Sequence, residues 1–285
     1  MRVIFFVLAL SFALMYSPIL VHAEDDSEVT SPVDAVDQLL RGSAYYEAGE
    51  YEKAVKWFRK AVEQGDTDTQ YFLGFMYESG EGVPQDHEKA VKWYRSAAQH
   101  GHADAQYNLG MMHMNGEGVP QNDEKAVKWF RKAADQGHAE AQLLLGMMYF
   151  YGKGVSEDYR KAIKWFHKAA ERGNAKAQYL LGLSYADGEG ALNDDGKAVK
   201  WFRKAAEQEY VDAQYDLGVM YEDGEGVPQD YGKAVKWYRK AAEQGHARAQ
   251  HNLGIMYGTG EGVLQDDEKA VKWYRKAAEQ GHAGA

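Results

Sequence analysis

GEGVPQDHEKAVKWYRSAAQHG, residues 80–101, joins a glycine-rich loop to a tryptophan-bearing segment, and both halves return at intervals of 36 residues. The loop recurs as GEGVPQN at 116, GKGVSED at 152, GEGALND at 188, GEGVPQD at 224 and GEGVLQD at 260. The tryptophans follow the same period: Trp57, Trp93, Trp129, Trp165, Trp201, Trp237 and Trp273. So does a glycine series: Gly74, Gly110, Gly146, Gly182, Gly218 and Gly254. A repeat this regular is the signature of an array of supersecondary units.

Both segments of each unit have helical spacing. In KAVKWFRKAVEQ, Ala54, Phe58, Ala61 and Val62 share one stripe, and Lys53, Lys56, Arg59 and Lys60 cover the rest. In DAQYNLGMMH, Ala105, Leu109, Met112 and His113 form the inner stripe, with Asp104, Tyr107, Asn108 and Met111 pointing elsewhere. The spacing predicts a first helix (A) of about 12 residues and a second (B) of about 14. Neither buries its apolar face alone, so the units must stack.

The loop reads position by position. Asp86, Asn122, Asp158, Asp194, Asp230 and Asp266 stand where an N-cap for helix B is needed. The first glycine ends helix A, and the second permits a tight turn. Val83 plugs an apolar gap, and Pro84, Pro120 and Pro228 stiffen the approach to the cap. A phosphate-binding loop would follow a strand and carry a GK[ST] start to its helix, and neither feature is here. At the second joint Gly101 caps helix B ahead of His102-Ala103. Glu209-Tyr210-Val211 replaces Gly-His-Ala in the fifth repeat of the loop-bearing kind, and a non-glycine at a positive-φ position predicts a different bend between Gln208 and Asp212.

The 285 residues carry 33 basic and 43 acidic side chains, a net charge of −10, against the cationic footprint nucleic acid demands. Residues 1–23 have a cation at Arg2, an apolar run from Val3 to Met15 and a Val21-His22-Ala23 ending, the pattern of a cleaved secretory signal. Its removal leaves a net charge of −11 and no second segment apolar enough to insert in a membrane. There is no cysteine, so an exported chain must hold its fold by packing alone.

The pattern AxxxLGxxY…GxGVxxD…AxxWxxKAAxxG resembles the Sel1-like repeat family over residues 66–285. The first unit, 33–65, lacks the long loop. Its Gly42, Tyr45, Gly49, Tyr51, Ala54, Phe58 and Ala61 resemble a tetratricopeptide repeat instead, with Ser31-Pro32 as the start of its helix A. Residues 24–32 form an acidic leader. The resemblance implies an all-α fold, a right-handed α/α solenoid of about seven helix pairs. After Gly281 only His-Ala-Gly-Ala follows, which suggests a bare stacking face and self-association through it.

No HExxH, SxxK or thiol chemistry is present. Some cysteine-rich relatives of this family are linked to β-lactam binding or hydrolysis; without their cysteines that activity, or another cell-wall hydrolysis, stands only as an alternative. His102, His138, His246 and His282 form one column, but successive units lie about 10 Å apart, too far to share a metal ion. Their expected role is capping or packing at the start of helix A. The His100/His102 pair lacks a third ligand, so neither metal nor cofactor is expected. His113 stands in a tyrosine column and is expected in the core. The lysines of helix B read as a solvated face.

In solenoids of this kind the A helices line a concave face suited to peptide or protein partners. Columns that vary there among near-identical units are the candidate contacts: Tyr71, Tyr107, Leu143, Tyr179 and Tyr215; Phe75, Met111 and Met147; Glu78, Met114, Phe150 and Glu222. The alternative for the Phe75 column is packing between units. The resemblance thus implies an exported, non-enzymatic scaffold or adaptor, periplasmic or secreted, that binds a protein or peptide.

Overall fold

The computed structural model describes residues 35–188 and 193–281. The signal segment, the acidic leader with Ser31-Pro32, residues 189–192 of the fourth GxG loop and the four residues after Gly281 lie outside it. Among the described residues there are fourteen α-helices and no strand. They form seven A–B pairs: α1 (Ala35–Glu47) with α2 (Tyr51–Val62), α3 (Thr67–Ser79) with α4 (His87–Gln99), α5 (Ala103–Asn115) with α6 (Asp123–Asp135), α7 (Ala139–Tyr151) with α8 (Tyr159–Glu171), α9 (Ala175–Ala186) with α10 (Asp195–Glu207), α11 (Val211–Asp223) with α12 (Tyr231–Glu243), and α13 (Ala247–Thr259) with α14 (Asp267–Glu279). Each A helix packs on its own B helix, and each B helix on the next A helix, which makes the solenoid.

The A and B helices are all 12 or 13 residues long, not about 12 and 14 as the spacing predicts, because caps rather than apolar stripes set their ends. All six Asp or Asn residues before helix B accept a hydrogen bond from the backbone N–H three residues on. Gly80, Gly116, Gly152, Gly224 and Gly260 end their A helices in the left-handed conformation. The α9 helix stops one residue early, at a C-cap Asp187 in the right-handed region.

The recurring glycine of helix A is a seat for a ring. A Cβ on Gly74, Gly110, Gly146, Gly182, Gly218 or Gly254 would lie 2.5–2.7 Å from a ring carbon of Tyr94, Phe130, Phe166, Phe202, Tyr238 or Tyr274. The first five of these rings are at most 2% exposed. Burying each contributes roughly 1.5–3 kcal/mol, and the missing side chain is what admits it.

The second loop glycine does more than turn the chain. At Gly154 φ is +66°, and a Cβ would sit 2.4 Å from the backbone carbonyl carbon of Asp123, at the start of the preceding B helix. Gly82, Gly118, Gly226 and Gly262 meet the same place in their own neighbours. The loop is therefore pressed onto the previous unit. Val83 lies under it, packed against the cores on both sides.

The invariant glutamine joins the units. Gln106, Gln142, Gln178, Gln214 and Gln250 are buried, and each donates from Nε2 to an alanine carbonyl at the end of the preceding B helix, at 2.9–3.2 Å. That gives a second partner to a helix-end carbonyl that also accepts from the backbone N–H three residues on. The Oε1 atoms of Gln106, Gln178, Gln214 and Gln250 accept from a glutamine 30 residues on. Gln70 and Gln142, followed at that spacing by His100 and Arg172, have buried Oε1 atoms with no such partner.

The fifth joint corrects a sequence expectation. Glu209 takes φ +64°, and Tyr210 N–H still reaches the Ala205 carbonyl at 3.1 Å, as His102 N–H reaches Ala97. The bend is the same as elsewhere. Stacking of the next unit dictates it, so the glutamate is held in a conformation that glycine adopts without cost.

Candidate functional site

The side of the A helices that the B helices leave uncovered is assembled by three sets of contacts between units. The first is a cap that doubles as a joint. His102, His138 and His246 accept the N–H of Ala105, Ala141 and Ala249 at Nδ1 (3.1–3.2 Å). The proton therefore sits on Nε2, which faces Asp68, Asp104 and Asp212 of the preceding unit at 3.2–3.6 Å. The bonds to His102 and His138 hold the Asp68 and Asp104 carboxyls below the usual carboxylate range. An Asp–His pair has the outline of a hydrolytic dyad, but here the second nitrogen is taken by a backbone amide. It is not available to accept a proton from a nucleophile.

The same imidazoles stack on the tyrosine column. Tyr71–His102, Tyr107–His138 and Tyr215–His246 have ring centroids 4.6 Å apart and planes within 25°. Where the cap is Asn174 the tyrosine position is Leu143, buried at 8% exposure. Where it is Tyr210 the partner is Tyr179, at 5.0 Å. Tyr71, Tyr107, Tyr179 and Tyr215 stay half-buried.

The third set explains the Glu78 column. Tyr94 donates its hydroxyl to Glu78 at 2.5 Å, and Tyr238 donates to Glu222. Where the seated ring is phenylalanine the column holds Met114, Phe150 or Ala186 instead, and opposite Tyr274 it holds Gly258. Phe150 also packs edge-on against Tyr151 and Tyr159, each at 5.0 Å. Phe75, Met111 and Met147 are half-buried along the rims of the core clusters, Phe75 against Tyr46 at 6.3 Å. Every candidate contact thus has a packing role, and all but Leu143 retain accessible surface.

His113 is buried, and burial first, then Lys125 and Arg95, lowers its pKa. The B-helix lysines are exposed, and those at Trp57, Trp129, Trp165, Trp201, Trp237 and Trp273 lie over the ring at 4.0–4.8 Å. Among the described residues no group of three His, Asp or Glu side chains is placed to hold a metal ion.

A depression lies on the A-helix face. Its volume is about 330 Å³, and Tyr179, Asp212, Tyr215, Asp216, His246, Ala247 and Arg248 line it. The structure brings Tyr179 and Tyr215 together there. Asp216 is not among the sequence candidates, although its column varies among Phe, Asn, Leu and Asp as theirs do. The signal lies in a pairing over fourteen residues, taken up below.

Paired helices stacked with a fixed 36-residue offset make this an α/α repeat solenoid. The Sel1 repeat model matches residues 67–102, 103–138, 139–174, 175–210, 211–246 and 247–282, and the tetratricopeptide repeat model matches 37–68. The chain belongs to the Sel1 repeat family, whose solenoids generally mediate protein–protein interaction. It is similar to c5321, a protective antigen present in uropathogenic Escherichia coli strains displaying an SLR fold: 42% identity, TM-score 0.86, covering 87% of this chain. This chain spans only 54% of that protein's length. A Sel1 repeat protein from Oxalobacter formigenes is 35% identical, TM-score 0.72, over 85% of this chain and 96% of its own. Comparison with curated proteins finds no match.

Proposed function

We propose that this chain is an exported scaffold that holds a protein or peptide along the uncovered side of its A helices. One observation carries the reading. After all helices have packed, the Tyr71, Phe75 and Glu78 columns remain half-exposed at every described position but Leu143, and there otherwise near-identical units differ in chemistry. Half-exposed tyrosine and methionine on a rigid frame give contact area at low entropic cost. The N-terminal signal pattern supports export. No described helix is long and apolar enough to cross a membrane.

The test is a triple substitution, Tyr107→Ala, Met111→Ala and Met114→Ala, in the intact chain. A partner identified by affinity capture and mass spectrometry is then titrated against both proteins. Affinity is expected to fall at least about tenfold, with helical circular dichroism retained. Unchanged affinity overturns the reading.

A further inference from the structure

The residue of helix A that lies fourteen positions after the seated B-helix ring follows a rule. Phe58 is followed by Phe72, stacked at 5.4 Å. Tyr94 and Tyr238 are followed by Asn108 and Asn252, whose side-chain amides lie beside their hydroxyls and favour the ionised form. Phe130 and Phe166 are followed by Leu144 and Leu180. Phe202 is followed by Asp216. Phenylalanine offers a carboxylate nothing, so Asp216 turns to the Tyr179 hydroxyl of the neighbouring A helix. A leucine here would serve the fold better, since a poorly solvated carboxylate costs stability. The departure from the rule coincides with the 330 Å³ depression.

We propose that this depression receives one lysine or arginine side chain of a peptide partner. Its stem lies against Tyr179 and Tyr215, and its charge on Asp216 and Asp212. The inference rests on the A-helix face being the binding face. Charge complementarity selects the occupant. Around Asp216, the carboxylates of Asp212 on α11 and Asp187 at the end of α9 outnumber the one guanidinium, Arg248 on α13. Tyrosine faces add cation–π attraction. The volume suits one long side chain, not a helix.

Burial first, then Asp212 and Asp187, push the Asp216 carboxyl up to about 6, against the Tyr179 hydrogen bond and Arg248, which favour its ionised form. A bound cation requires the ionised form, so binding weakens as pH falls through that value. His246 stands at the rim, and burial lowers its pKa, with Asp212 raising it and Arg248 lowering it. Protonating it would displace the Ala249 amide from Nδ1, so the pH effect expected here is that of Asp216. Tyr179 and Tyr215, both raised by burial, stay neutral throughout.

The experiment probes an array of random decapeptides, acetylated at the N-terminus, with the intact chain and with Asp216→Leu, the residue that units with Leu144 and Leu180 already use. Asp216→Asn, as at Asn108 and Asn252, is the second variant in case the first misfolds. The intact chain is expected to enrich Lys or Arg at one position. The best such peptide should bind both variants at least about tenfold more weakly, and the intact chain about tenfold more weakly at pH 5 than at pH 7. Peptide selection without basic enrichment, or the same enrichment by the variants, overturns this inference and leaves the binding face standing. If the intact chain selects no peptide, the binding face falls as well.

Discussion

Gly146→Val is expected to destabilise the solenoid by about 4 kcal/mol, the sum of a lost ring burial and an overpacked contact. A Cβ at Gly146 meets two Phe166 ring carbons at 2.6 Å and the Ala162 carbonyl at 3.2 Å. Phe166 is 2% exposed and packed within the core cluster. Valine therefore expels the ring from the centre of the array, where both neighbouring interfaces depend on it. The gain from replacing a helical glycine, about 1 kcal/mol for alanine, is too small to compensate. Urea unfolding followed by circular dichroism measures the loss. Phe166→Leu in the same chain should restore part of it, because a smaller side chain leaves room. A neutral Gly146→Val, or strict additivity of the two changes, contradicts the seat.

Gly154→Ala is expected to cost about 3 kcal/mol, whereas Gly173→Ala costs about 1 kcal/mol. Both glycines have positive φ, +66° and +88°, so both substitutions carry the left-handed penalty. The difference is the neighbour. Nothing lies within 4 Å of a Cβ at Gly173, whereas one at Gly154 strikes the Asp123 backbone, which has no rotamer with which to yield. Glu209 is a natural instance of the lesser case, and Glu209→Gly should return about 1 kcal/mol. Equal urea midpoints for Gly154→Ala and Gly173→Ala would show that the loop does not press on the unit before it.

The pairing of helices, the Asp and Asn caps and the glycine ends were legible because each is written within four residues of chain. The tryptophan and glycine series gave the repeat length, and with it the family. The candidate columns were legible as places where units differ, but their contacts were not. Tyr71 meets His102, Glu78 meets Tyr94, and Gly82 meets the backbone of Tyr51, a unit away. The swaps of Tyr for Leu143 where His gives way to Asn174, and of Glu for Met114 where Tyr gives way to Phe130, held that information in pairs 31 and 16 residues apart.

By itself, then, the sequence determined that this chain folds as a helical array, where its helices start and stop, and which residues recur as frame. The tertiary structure alone decided what the second glycine is for, why Glu209 adopts the common bend, and that Asp216 opens into a depression with Tyr179, Tyr215 and Arg248. The physical reason is that caps and stripes depend on neighbours along the chain. How one unit bears on the next depends on the stacking angle, which no single unit contains.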